Sequence, residues 1–458
     1  MHIASRKSSL QWYLQMFCLL VILAVGMFLR LGTADLTVVD HPVRNDAKDY
    51  VAYAWNLKFY DVYSRDISKV NGSEVLAPEP DDIRPPAYPW MLRLLLGSKV
   101  DLAFWSRVTH VQAWIAGLTL LCSTLLAMEL LGAWAGLWLG VLVSISPHQS
   151  VYVPYLLTET LYGATLMLSL GLGVLSLRAR RWRWRCVWAV LAGVLFGVTC
   201  LVRPTLNQWV PVLLLFLLLP QVRRFHREIF VFSFGFMLMM APWWVRNELN
   251  LHQLSDPSQM VGTVQNGSYP DFMFNDLPKS FGYPYWYDPD AARIGSSWVN
   301  EFSDLRAKFA RRPVAMIKWY LVGKTIYFFH WSTPDGWHDM FVYPVFRSPW
   351  LTDPAFILIM AMVGGLYGPL MVCGVLGTLV AFAPRTRTLF GAAKTDGLRL
   401  LALLHLFAIG VHVAGAPFAR YSVPFRPVTF LLAVFLLVWI ARSYAAWKHP
   451  LLVDGNRG

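Results

Sequence analysis

The sequence predicts an all-α integral membrane protein. It would be a bundle of about ten transmembrane helices, with amphipathic interfacial helices in a first external loop and a large second external loop. Three observations lead there. Of 458 residues, 56% are hydrophobic and only 15% charged, where a soluble domain carries roughly 25%. Mean hydropathy is +0.45, and several apolar runs approach the ~20 residues that cross a bilayer. They include QMFCLLVILAVGMFL near the start, VQAWIAGLTLLCSTLLAM at 111–128 and PVTFLLAVFLLVWIA near the end. Finally, the densest basic runs, RARRWRWR at 178–185 and QVRRFHRE at 221–228, are short loops between apolar runs. The positive-inside bias assigns such loops to the cytoplasm.

Arg6 and Lys7 set the first run, about 11–32, running outward. The residues after it, RLGTADL, contain no small-residue cleavage site, so it reads as a retained helix rather than a signal peptide. A polar segment, 33–104, follows outside. Further crossings fall near 105–128, 134–151, 157–177, 187–204, 208–220 and 229–247, leaving both Arg-rich loops inside. A second polar segment, 248–354, lies outside. Crossings near 355–382, 399–416 and 422–441 then put PRTRTLFGAAKTDGLR and the tail with Arg442 and Lys448 inside. RRPVAMIKWYLVGKTIYFFHW (312–331) is long enough to span, but Lys318 and Lys324 among aromatics suit a helix lying in the interface. The acids were not used to build this topology and agree with it. Of 27 Asp and Glu residues, only Glu129, Glu159, Glu228, Asp396 and Asp454 fall beyond the two external segments. Three parts follow: an N-terminal helical module with the first external loop (1–250), an external lid region with an interfacial helix (251–354), and C-terminal helices with a cytoplasmic tail (355–458).

Composition excludes some functions. The net charge of +13 sits in topology-setting loops, which argues against a nucleic-acid partner and for the lipid bilayer. Cys18, Cys122, Cys186, Cys200 and Cys373 lie in or beside apolar runs without CxxC spacing, so neither a disulfide framework nor a zinc site is indicated. No internal repeat of the kind transporters carry is visible. Polar mass concentrated in two loops on one face points instead to chemistry or binding at the outer surface.

The stretch VRNDAKDYVAYAWNLKFYDVYS (43–64) places Tyr50, Tyr53, Ala54, Leu57 and Tyr60 on one helical face. It reads as an amphipathic helix on the outer leaflet, aromatics down. Asp46, with Asp49 three residues on, fits either a capping box or a catalytic carboxylate.

NDAKDYVAYAWNLKFYDVYS resembles the D-A-x-x-Y-x-x-x-A-x-N-L…Y-S signature of first external loops in GT-C glycosyltransferases. The likeness is greatest to the polyprenyl-phosphate-sugar group of protein O-mannosyltransferases, the lipid A aminoarabinose transferase and Rgt-type transferases. RPPAYPWMLRLL (84–95) resembles that loop's R-x-P-G-Y-P-x-F element, with Ala87 for the usual Gly. SPHQSVYVPYLLTETLYGATL (146–166), GVTCLVRPT (197–205), APWWVRNE (241–248) and RYSVPFRPV (420–428) resemble further elements in the same order. No element is recognised in 250–400.

The resemblance implies a sugar on a polyprenyl phosphate, attacked at its anomeric carbon by an acceptor hydroxyl or amine, usually with inversion. The acceptor would be an envelope glycan, lipid or protein at the periplasmic face of the inner membrane, and no cofactor is implied. By motif match Asp46 would be the general base, with Asp49 as runner-up. Arg203 and Arg420, then Arg84 and Arg246, would hold the donor phosphate, each otherwise a snorkelling arginine. Glu159 would pair with one of them or cap its helix. Tyr50, Tyr88, His148 and Tyr421 would line the substrate cavity. The aromatic stretch 266–290 fits a substrate lid or plain packing. His330, Asp335, His338 and Asp339 match no firm metal spacing, and no metal is expected. The rival readings are an oligosaccharide ligase or polymerase using a polyprenyl diphosphate, and a transporter or flippase of lipid-linked sugars.

Overall fold

α1, His2–Leu36, is one unbroken helix with a long apolar stretch from Leu10. The computed structural model describes residues 2–69, 78–334 and 340–448. A short strand β1, Val38–Val39, then leads to α2, Asp46–Phe59, and α3, Ala87–Leu95. α4, Leu102–Leu131, returns across the bundle and α5, Ala133–Ile145, turns back beside it. α5 is shorter than the crossing expected at 134–151. Pro147 follows its last turn and opens the separate helix α6, Pro147–Val151, because the residue before a proline disfavours helical backbone. Arg30 of α1, fully buried, donates to the carbonyls of Val143 and Ser144 at 3.1 and 3.2 Å, satisfying the end of α5 inside the bundle.

α7, Glu159–Arg178, and α8, Trp182–Val202, form the next hairpin. A single helix at 208–220 is not observed. The chain descends through a 3-10 turn at Pro204–Leu206, then α9, Trp209–Phe216, and α10, Pro220–Arg223. α9 has 8 residues, only about 12 Å of rise. α11, His226–Leu251, packs on α8 through glycines. A Cβ on Gly193 would meet the Phe232 carbonyl oxygen at 2.0 Å, so the two backbones touch, as small residues allow in membranes.

The second polar segment carries α12, Ser258–Gly267, and α13, Ala291–Ile294. It continues through α14, Trp298–Arg311, α15, Pro313–Lys318, a π-helical turn at Trp319–Gly323 and α16, Lys324–Phe328. Strand β2, Val345–Arg347, pairs antiparallel with β1 and ties the two polar segments together. The last elements are α17, Pro349–Thr352, α18, Pro354–Val380, α19, Pro384–Phe390, and α20, Ala392–Ala414. α21, Ala419–Ser422, a 3-10 turn and α22, Arg426–Lys448, complete the final span. Among the described residues eight helices are long and apolar enough to cross a membrane, with α5 as a shorter apolar ninth. The protein is an all-α, multi-pass membrane bundle.

Two surface expectations fail. α2 does not lie on the bundle with one face down: Ala47, Tyr50, Val51, Ala52, Tyr53, Ala54, Asn56 and Leu57 are all buried, which leaves only Lys48, Lys58 and Phe59 exposed. Lys324 is no interfacial anchor either. It is fully buried, with Nζ donating to the Val413 and Gly415 carbonyls at 2.9 and 2.8 Å, at the C-terminal end of α20. The aromatic stretch 266–290 docks through Phe272, buried and stacked on Phe418 at 4.5 Å, while Trp286 stays exposed.

Near Lys324, Glu301 of α14 is fully buried and neither carboxylate oxygen has a hydrogen-bond partner. Burial pushes its carboxyl up to about 7, against the pull of Lys308 and Lys324. A raised carboxyl favours the fold at low pH, and that contribution is lost as pH rises through 7. Glu301→Gln should therefore gain thermal midpoint over the parent, by several degrees at about pH 8.5 and by much less at about pH 5.5. Thermal unfolding in detergent at both values checks this, and a pH-independent difference would contradict it.

Candidate functional site

The six residues that cluster at one end of the bundle come from five separate stretches of chain. α2 begins at Asp46, so its first turn presents Asp46 and Asp49 on one side, one turn apart. The residue ahead of it, Asn45, holds φ 44°, an uncommon backbone for a side-chain-bearing residue, and it makes no side-chain cap. The capping-box alternative is thus not realised, because the Asp46 carboxylate is spent on guanidiniums. Arg84 Nη2 donates to Asp46 Oδ1 at 2.8 Å, and Arg420 Nη2 donates to Asp46 Oδ2 at 3.2 Å. Arg84 also grips Asp49 Oδ2 through Nε and Nη2, at 3.1 and 2.9 Å.

Alongside, Arg203 Nη2 donates to Glu159 Oε1 at 3.3 Å. Arg203, following the last turn of α8, lies over the ring of Tyr421 at 4.7 Å, and Arg420 lies 5.2 Å from the same ring. Among the described residues three guanidiniums face three carboxylates, so these six charges balance at rest. The Asp46 side chain is 22% exposed, enough for a small group to reach it. Burial would raise its pKa, but Arg420, Arg84 and Arg203 outweigh that and hold it at about 2.

The remaining expected residues divide. Tyr50 is buried beneath Arg84, whose guanidinium lies 5.6 Å from its ring. Burial, with Asp46 adding to it, holds the Tyr50 phenol above its ordinary range. Tyr88 is fully buried below Tyr50, edge-on at 5.1 Å, and its hydroxyl donates to Gln112 Oε1 at 3.0 Å, so it supports the site from beneath. His148 is buried with Nε2 2.9 Å from the Trp331 carbonyl, and shares with Glu159 and Tyr152 the wall of a cavity of about 10 Å³. Arg246 stands apart from the carboxylates. Its donors go to the carbonyls of Asp81 and Tyr63, at 2.9 and 3.2 Å, clasping the polar segment between α2 and α3. Of the four residues considered for a metal, Asp335, His338 and Asp339 lie outside the described residues, and His330 Nδ1 sits beside Ser332.

Sequence reasoning missed two contributors. Tyr343, just ahead of β2, has a buried hydroxyl without a partner, and burial followed by the nearby Asp46 charge raises its phenol. Asp81 orders the segment before Arg84. It accepts from the Tyr53 hydroxyl and from the backbone N–H groups of Arg65 and Ile83 at 2.9 and 3.2 Å. Tyr63 adds a hydrogen bond to the Arg84 carbonyl at 2.8 Å. An Asp two residues before a loop Ile was the only signal for this turn.

Breaking the second ion pair should cost stability. Glu159 is 1% exposed and its Oε2 already lacks a partner. Arg203→Gln should therefore destabilise by about 3–5 kcal/mol by stranding a buried charge. Adding Glu159→Gln should recover most of the lost thermal midpoint, read by unfolding in detergent. If the double variant melts no higher than the single one, the pair is not the reason.

Comparisons with known proteins find the same architecture. No family model and no curated protein sequence matches the chain. Among solved structures it is similar to the oligosaccharyltransferase of Archaeoglobus fulgidus tethered to an acceptor peptide with the NVT sequon, at a TM-score of 0.54 and 14% identity. That match covers 97% of this chain and 52% of the archaeal one. AglB of the same organism, in complex with an inhibitory peptide and a dolichol-phosphate, matches at a TM-score of 0.53 and 14% identity, over 98% and 53% of the two chains. ArnT from Cupriavidus metallidurans bound to undecaprenyl phosphate is similar at 0.40 and 15% identity, over 96% and 79%, too loose to carry an argument. The chain spans about half the length of the archaeal enzyme. What is shared at this identity is the fold alone, a multi-pass helical bundle.

Proposed function

We propose that the protein is a membrane glycosyltransferase. It moves a sugar from a polyprenyl-phosphate donor to an envelope glycan, lipid or protein acceptor at the external, periplasmic face of the inner membrane. The observation that carries this reading is the Asp46 carboxylate, suspended between Arg84 and Arg420 and reachable from outside the bundle. In the reaction the acceptor oxygen attacks the anomeric carbon and its proton passes to Asp46. The bond from that carbon to the phosphate oxygen breaks, and the phosphate leaves with the electron pair. Arg420 and Arg203 are the donors best sited to neutralise it. The dolichol-phosphate bound to the archaeal protein of the same fold favours a lipid phosphate as donor.

The charge balance gives the site its working cycle. An incoming phosphate competes with Asp46 for Arg420, which loosens the ion pair that keeps the carboxylate weakly basic. Donor binding thereby makes the base. The oligosaccharyltransferase likeness supports a second reading, transfer of a preassembled glycan from a polyprenyl diphosphate. Purified protein in detergent, supplied with an acceptor extract and donors on either lipid monophosphate or lipid diphosphate, tests both. Transfer from the monophosphate supports the reading, and transfer from the diphosphate alone replaces it with the second. No transfer from either, together with donor movement across reconstituted vesicles, would make the protein a transporter.

A further inference from the structure

At the opposite end of the bundle from Asp46, α7, α8, α9, α10, α11 and α20 enclose a cavity of about 580 Å³. It exists because the return stretch between Arg203 and Arg224 is built from short pieces where a full helix would fill the space. Its wall is apolar, with Leu170, Phe196, Trp209, Leu213, Phe216 and Leu404 among the lining residues. A space of this size between membrane helices is filled by hydrocarbon, since protein interiors are close-packed and apolar walls offer water no partners.

The mouth has a different chemistry. Arg224, Glu228, Arg387, Asp396 and Arg399 all border the cavity. The acids there are spent: Arg224 Nη2 meets Asp396 Oδ1 at 2.5 Å, and Glu228 Oε1 meets Arg185 Nη2 at 2.7 Å. Arg387 and Arg399 have no carboxylate partner among the described residues, and Arg399 Nε donates only to the Ala381 carbonyl at 3.2 Å. An apolar chamber with two uncompensated guanidiniums at its opening is complementary to an anionic amphiphile. Basic pockets between membrane helices at this level take anionic headgroups. The Arg-rich loops assign this end to the cytoplasmic leaflet.

We infer that this cavity is a resident-lipid site for an anionic glycerophospholipid of the cytoplasmic leaflet, one acyl chain inside and the phosphate on Arg387 and Arg399. The mouth selects the occupant: Arg387 and Arg399 beside an apolar chamber suit one anionic headgroup with its acyl chain inside.

Native mass spectrometry of the full chain in mild detergent tests this with palmitoyl-oleoyl phosphatidylglycerol against the phosphatidylcholine of the same chains. One phosphatidylglycerol should be retained with a preference on the order of tenfold. Arg387→Gln with Arg399→Gln should remove the preference, and Leu213→Trp, which fills the chamber, should remove retention of both lipids. Equal retention of the two lipids by the parent protein overturns the proposal, as does phosphatidylglycerol retention unchanged by Leu213→Trp. Should the variants not fold, phosphatidylglycerol with a diazirine near the acyl terminus decides on the parent alone. Crosslinks within 204–225 or 392–404 support the site, and crosslinks confined elsewhere overturn it. Displacement of the lipid by undecaprenyl phosphate at equal concentration would also overturn it.

Discussion

Asp46→Asn is expected to lower the rate of sugar transfer by roughly 10²–10⁴-fold while strengthening binding of the lipid-phosphate donor. The amide keeps the size of the carboxylate and removes its charge. It cannot take the acceptor's proton, so the chemical step suffers. At the same time Arg84 and Arg420 lose the anion they share at 2.8 and 3.2 Å, so more of their charge falls on the phosphate, while Arg84 keeps its grip on Asp49. Single-turnover transfer and donor binding, measured on the same preparation, check both halves. Turnover within about threefold of the parent would end Asp46's claim to be the base. Turnover lost only in Asp49→Asn would move the base one turn along α2. A pH profile adds an independent reading. Because Asp46 is held at about 2, below its ordinary value, its stabilising ion pairs persist above the unfolded pKa and fade only as pH falls toward 2. The free enzyme's kcat/KM should then show no acid limb from Asp46 in the working range, whereas kcat, reporting the donor-bound state, should show one at higher pH.

How much of this site was legible in the sequence depends on what kind of contact made it. Asp46, Asp49, Arg84, Glu159, Arg203 and Arg420 sit in short motifs at element ends, and the same ends converge in space at one end of the bundle. Charges beside apolar runs are few and costly, so each one was conspicuous. Arg246 was equally conspicuous and lies elsewhere. Its helix, α11, reaches the loop at Asp81 and Tyr63 rather than the carboxylates, and helical periodicity alone does not say which neighbour a side chain meets. The burial of α2 was illegible for a related reason. An aromatic stripe with polar residues opposite has the pattern of an interfacial helix. Here, though, the polar side includes Asn56, buried and donating to the Ser64 and Asp66 carbonyls at 2.9 Å each, so the loop caps what lipid headgroups would otherwise cover. Tyr343 comes under the charge of Asp46 from the far polar segment, which β2 joins to β1, and a two-residue strand leaves almost no periodic trace.

Arg420→Gln is expected to lower kcat by roughly 10²–10³-fold, the range for losing one donor aimed at developing charge. Arg420 brings the C-terminal part of the chain onto Asp46, and its side chain is only 12% exposed. In the proposed reaction it answers two needs in succession, shielding the carboxylate at rest and then taking the leaving phosphate. Removing it should raise the pKa of Asp46, since the foremost of the charges opposing burial is gone. The variant should therefore lose rate in the chemical step more than in donor affinity, which Arg203 and Arg84 still support. Arg420→Lys restores the charge as a point, without the planar fork that meets two oxygens at once. It should recover part of kcat and leave the acid limb of the kcat profile displaced upward from the parent's. A purely structural role for Arg420 predicts the opposite pattern: equal losses in Gln and Lys variants, a lowered thermal midpoint, and no movement of the acid limb. Steady-state kinetics across pH on both variants, with their melting curves, separates the two.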